Sequence, residues 1–101
     1  MPDLEIEIEG SVQNPLLVLR GEIDVASVVA LRAAVDELGA PQLAQVTLDF
    51  PDGTVMDSTG LGWLAALARN GCAVSLRSVP PSIRKLLDIT GIDGVVSVAD
   101  G

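Results

Sequence analysis

Leu16-Leu17-Val18-Leu19 narrows the fold more than any other segment: four consecutive apolar residues, closed by Arg20-Gly21. A surface helix buries one stripe and a half-exposed strand alternates. An unbroken run this short is the pattern of a central strand covered on both faces. Such a strand needs neighbours, and the chain supplies them at regular intervals. Leu4, Ile6 and Ile8 alternate with Glu5, Glu7 and Glu9, a half-exposed strand, and Gly10, Asn14 and Pro15 mark the turn that follows. After Gly21-Glu22-Ile23-Asp24, the residues Val28, Leu31, Val35 and Leu38 recur at helical spacing until Gly39 and Pro41. Val46 to Phe50 reads as a strand and Pro51-Asp52-Gly53 as a loop. A second helix runs from about Thr59 to Arg69 and ends at Asn70-Gly71, and Ala73 to Arg77 is again a strand. Pro80-Pro81 opens a third helix carrying Ile83, Leu86 and Leu87, with Gly91 just past its end, and Val95 to Val98 is a last short strand.

The order β-β-α-β-α-β-α-β predicts an α/β fold: a mixed, mostly parallel sheet of about five strands with three helices and right-handed crossovers. Only the first two strands, separated by a short turn, are expected to pair antiparallel. Residues 1–101 read as one domain. Function in such sheets gathers at the carboxyl ends of the strands. Here that edge holds Glu22 and Asp24 after one strand, and Asp52, Asp57 and Ser58 after the next.

The residue inventory removes whole classes of activity. There is no histidine and no tyrosine, and Lys85 is the single lysine. A Ser-His-Asp machine and a histidine-bearing metal site are therefore impossible. Gly60 and Gly62 lack the lysine and the spacing of a phosphate loop. A magnesium pocket of Asp24, Asp52 and Asp57 would also need paired acids after the first strand and a lysine after a late one. Instead Gly10 follows Glu9, and Lys85 lies in a helix. The chain reads as a non-enzyme with no cofactor and no metal. A net charge of −8, from 14 acidic and 6 basic residues, argues against nucleic acid and against an anionic membrane surface. The lone Cys72 permits no intrachain disulfide and is expected to be buried. With no leader before the first strand and no apolar span, the expected location is the cytoplasm.

Met56-Asp57-Ser58-Thr59-Gly60-Leu61-Gly62-Trp63-Leu64 places an acid, two hydroxyls and a glycine at the mouth of the second helix. Free N–H groups and a positive dipole end lie there. Ser58 is either the helix cap or a phospho-acceptor; Asp57 or Thr59 could cap instead, which leaves one hydroxyl spare. Along the same helix Leu61, Leu64, Ala65 and Ala68 share the face expected on the sheet. Trp63 and Leu67 fall on the far side, either under a neighbouring helix or as anchors of a protein interface.

Four segments in register resemble one family, the STAS domain, and within it the bacterial anti-sigma factor antagonists. They are Leu19-Arg20-Gly21-Glu22-Ile23-Asp24, Val46-Thr47-Leu48-Asp49-Phe50, Met56-Asp57-Ser58-Thr59-Gly60-Leu61-Gly62 and Pro81-Ser82-Ile83-Arg84-Lys85-Leu86-Leu87-Asp88-Ile89-Thr90-Gly91-Ile92. The resemblance covers nearly the whole chain. It implies that Ser58 is phosphorylated by a partner that is both anti-sigma factor and serine kinase. That kinase supplies ATP and magnesium, and a phosphatase resets the serine. It implies a role for Asp24 in kinase recognition, within a partner-binding surface of Asp24, Asp57, Ser58, Thr59 and Gly60, to which Trp63 and Leu67 add their apolar bulk. Two features depart from the family pattern: Asn70-Gly71 ends the second helix about one turn early, and no final helix follows before Gly101. Two other readings compete, a STAS scaffold or accessory subunit that is not phosphorylated, and a small-ligand-binding STAS module.

Overall fold

Strand order decides how this molecule is layered. The computed structural model describes residues 4–39, 43–51 and 53–99; the expected breaks at Pro41 and Asp52 lie outside them. β1 (Leu4–Gly10) and β2 (Pro15–Ile23) form the antiparallel hairpin, in register from Leu4↔Gly21 to Gly10↔Pro15. β3 (Gln45–Asp49) pairs parallel with β2, β5 (Ala73–Arg77) with β3, and β6 (Ser97–Val98) with β5. The sheet order β1-β2-β3-β5-β6 thus moves steadily in one direction. Right-handed crossovers that never reverse direction place every connecting helix on the same face.

The packing agrees. One hydrophobic core holds the inward residues of α1 (Val28–Glu37), α2 (Ser58–Arg69) and α3 (Pro81–Thr90), and sheet residues of a single parity. Leu17 and Leu19 of β2, Val46 and Leu48 of β3, and Val74 and Leu76 of β5 are in it, together with Phe50 just past β3. The other face carries Glu5, Glu7, Arg20, Thr47, Asp49, Ser75 and Arg77. The expectation that the Leu16–Leu19 run is buried on both faces holds for Leu17, Val18 and Leu19, although the helices pack on one face alone. Val18 is buried but stands outside the core cluster. Its strand neighbours Glu7 and Asp49 flank it, and ion pairs Glu7–Arg20 (3.5 Å) and Asp49–Arg77 (3.9 Å) lie beside it. Long polar side chains with apolar stems cover a small β-branched residue without any helix.

The helix boundaries follow their sequence signals. Gly91 closes α3 with φ +77, a left-handed cap that a side chain with a Cβ would strain. A single 3-10 turn (Ile92–Gly94) then leads to β6, which is shorter than the expected Val95–Val98 strand. The sequence did not indicate β4 (Val55–Met56), two residues pairing parallel with Glu22 and Ile23 of β2. Its effect on the site is large, because it aligns the start of α2 with the end of β2.

Candidate functional site at the carboxyl edge

β2 and β4 end in step, and each runs into a helical turn that opens on an aspartate. The last rungs are Ile23↔Met56 and the hydrogen bond from the Asp57 N–H to the Ile23 carbonyl (3.1 Å). One residue further along each strand stand Asp24 and Asp57, side by side at the carboxyl edge.

Both aspartates do the same local job. The Asp57 Oδ1 accepts the N–H groups of Thr59 (2.9 Å) and Gly60 (3.1 Å), so Asp57 is the N-cap of α2. The Asp24 Oδ1 accepts the N–H groups of Ala26 (3.1 Å) and Ser27 (3.0 Å), and Val28 N–H bonds the Asp24 carbonyl. Ser27 returns the favour: its Oγ accepts the Asp24 N–H (2.9 Å) and donates to the Glu22 carbonyl (2.7 Å). That reciprocal pair is a capping box with serine in the place of the usual glutamate. The Ser27 N–H, foremost among these donors, holds the Asp24 carboxyl below the usual carboxylate range. Asp24 is thus a positioning group of the turn into α1, whatever else it contacts. Both carboxylates are committed to backbone N–H groups.

With Asp57 as the cap, Ser58 is the spare hydroxyl. It is the first residue of α2 and is exposed. No hydrogen bond from its side chain is formed among the described residues. Thr59 is half-buried beside it.

Gly60 is buried and closely packed against the ends of β2 and β4. A Cβ there would stand 2.6 Å from Met56 Cγ, 2.8 Å from Ile23 Cγ2 and 3.2 Å from the Ile23 carbonyl oxygen. Glycine lets the first turn of α2 sit directly on the ends of β2 and β4, which fixes where Ser58 emerges. The loop before β4 is anchored by Thr54, only 1% exposed, whose Oγ1 lies 2.8 Å from both the Leu19 and Pro51 carbonyls. Neither Thr54 nor Ser27 was singled out from sequence, since an isolated hydroxyl in a turn carries no pattern.

Trp63 and Leu67 lie under a neighbouring helix, the first of the two placements open to them from sequence. They are 5% and 8% exposed and belong to the core, on the side of α2 that meets α1. α1 covers them. Cys72 is buried, as expected, and burial pushes its thiol up. Asp52 lies outside the described residues. Among those described, no helix is long and apolar enough to cross a membrane.

Comparison with known proteins bears on this arrangement. An anti-sigma factor antagonist from Mycobacterium paratuberculosis has the same fold, with a TM-score of 0.79 at 24% identity over 100% of this chain and 90% of that one. The anti-sigma factor antagonist SpoIIAA in its unphosphorylated form gives 0.75 at 20% identity, over 95% and 89% of the two chains. The Bacillus cell fate determinant SpoIIAA in the phosphorylated form gives 0.69 at 18%, over 95% and 92%. No curated protein sequence matches significantly. A family model described as "Mlab, STAS domain" matches residues 6–97, and on that match the chain belongs to the STAS domain family.

Proposed function

We propose that this protein is an anti-sigma factor antagonist switched by phosphorylation of Ser58. Unphosphorylated, it binds an anti-sigma factor that is also a serine kinase and so frees the sigma factor; phosphorylated, it lets the kinase go. The observation that carries the reading is the division of labour at the mouth of α2. Asp57 caps the helix, and Ser58 is left exposed with no structural hydrogen bond. A phosphate there adds roughly −1.5 to −2 charge. The positive dipole end at the helix N-terminus tolerates an anion. A partner seated over Asp24, Asp57 and Ser58 would have to bury that charge beside two carboxylates, and would be released. The switch therefore acts on docking and not on folding. ATP and magnesium belong to the kinase, and a phosphatase resets the serine.

Binding assays with the anti-sigma kinases encoded near this chain test the reading. Ser58→Ala should bind constitutively, and Ser58→Asp weakly while still folded. A Ser58→Asp variant that melts the domain would make the serine structural and remove the main support. A second reading, a STAS accessory subunit that is not phosphorylated, takes its support from the matching family model, which is described by Mlab and not by an antagonist. Stable partner binding with no phosphate transfer to Ser58 would favour it.

A further inference from the structure

A cavity of about 260 Å³ opens between α1 and the C-terminal half of α2. Its walls are Val35, Leu43, Trp63, Leu67 and Cys72, and its rim is Arg32 and Asp36 on α1 facing Ala66 and Asn70 on α2. The wall residues keep 3–8% exposure, whereas Leu31, Leu48, Leu64 and Leu76 are at 0%. Resting on the reading that the Ser58 face docks a protein, we propose that the cavity is a socket for one apolar side chain of that partner.

Size and position support this occupant. The volume lies at the lower edge of the roughly 300–1,000 Å³ of small-molecule sites and has room for one aliphatic or aromatic side chain. Ala66 and Asn70 lie 8 and 12 residues beyond Ser58 on α2, so at 1.5 Å per residue the socket is about 12–18 Å from the acceptor. Both points fit inside one interface of ordinary size. The surface between them is small and mostly apolar, with Gly62 and Ala66 exposed on α2 and Val29, Ala30 and Ala33 on α1, where Arg32 is its charged member. Val25 and Val29 are 70% and 64% exposed, an unusual outlay of apolar surface for one helix start.

Charge selects the partner. Asp24 and Asp57 bound one end of this surface and Asp36 and Glu37 the other, with Arg32 between and Arg69 at the end of α2. A second copy would bring the same acidic ends to a chain of net charge −8. The complementary surface is apolar at its centre and basic at its edges. The socket takes a central apolar anchor, and Ser58 at the edge governs whether the acidic end can be covered.

Trp63 is the only tryptophan and the chain has no tyrosine, so intrinsic emission reports the socket wall directly. Titration with N-acetyl-L-phenylalaninamide and N-acetyl-L-leucinamide should shift Trp63 emission saturably in the millimolar range. Ala66→Phe, which fills the mouth from an exposed helix position, should abolish the shift. Ala66→Phe and Ala66→Glu, both checked for folding by thermal melts, should each weaken binding of the unphosphorylated protein to its anti-sigma kinase by about tenfold or more. Emission unmoved by either analogue, or kinase affinity within about twofold of wild type in both variants, would overturn the socket. A kinase that phosphorylates Ser58 but binds both Ala66 variants normally sinks the socket and leaves the switch standing. If no kinase modifies Ser58, the switch fails and the analogue titration still decides the socket.

Discussion

Asp57→Ala and Ser58→Ala alter adjacent residues at one helix mouth, yet they should change stability in different directions. Asp57→Ala removes the acceptor of two N–H groups, those of Thr59 at 2.9 Å and Gly60 at 3.1 Å, and a negative charge at the positive end of the dipole. Loss of an aspartate cap costs about 1 kcal/mol, within a range of roughly 0.5–2. In a domain near 100 residues that lowers Tm by about 4–8 °C. Ser58→Ala removes a hydroxyl that bonds nothing among the described residues, and alanine is favoured over serine in a helix by about 0.5 kcal/mol. Its Tm should be unchanged or raised by about 1–3 °C. Paired thermal melts by far-UV circular dichroism, with both variants unphosphorylated, measure the difference. A Ser58→Ala loss equal to that of Asp57→Ala would show that the hydroxyl is part of the cap, and the argument that it is free for modification would fail.

Two further perturbations probe the frame around the serine. Gly60→Ala drives a Cβ to within 2.6 Å of Met56 Cγ and 2.8 Å of Ile23 Cγ2. It should destabilise by about 1–3 kcal/mol, the usual overpacking range; a neutral result in denaturant unfolding would mean that α2 does not sit as tightly on β2 and β4 as described. Because the Asp24 carboxyl is held below the ordinary value in the folded state, its contribution is complete above about pH 4 and is lost as pH falls through that lowered value. The Tm gap between wild type and Asp24→Asn should therefore close on acidification, and a gap independent of pH would show that the charged form makes no contribution to the turn.

Some of this was legible in the chain and some was not, for identifiable reasons. Alternation in Leu4–Glu9, the Pro80-Pro81 start and the Gly91 stop each act within a few residues, so periodicity and turn chemistry located those elements. The acid-hydroxyl-glycine cluster at 57–60 pointed to the mouth of α2, but left Asp57, Ser58 and Thr59 as rival caps. Only the hydrogen bonds choose Asp57. The run Leu16–Leu19 indicated two buried faces, but a local pattern does not say whether a helix or strand neighbours such as Glu7 and Asp49 cover each one. Trp63 posed the same problem on a helix, and the answer depended on where α1 lies. β4 is two residues long, too short for any period, and Gly60 owes its necessity to Ile23, thirty-seven positions away.

The central claim is that Ser58 is an acceptor on a folded, docking-competent domain. Intact mass after incubation with ATP, magnesium and each candidate anti-sigma kinase tests it most directly. One added phosphate is expected, mapped to Ser58 and absent in Ser58→Ala, with kinase release and an unchanged melting profile. A phosphate on another residue, or none from a kinase that binds the protein stably, would contradict it.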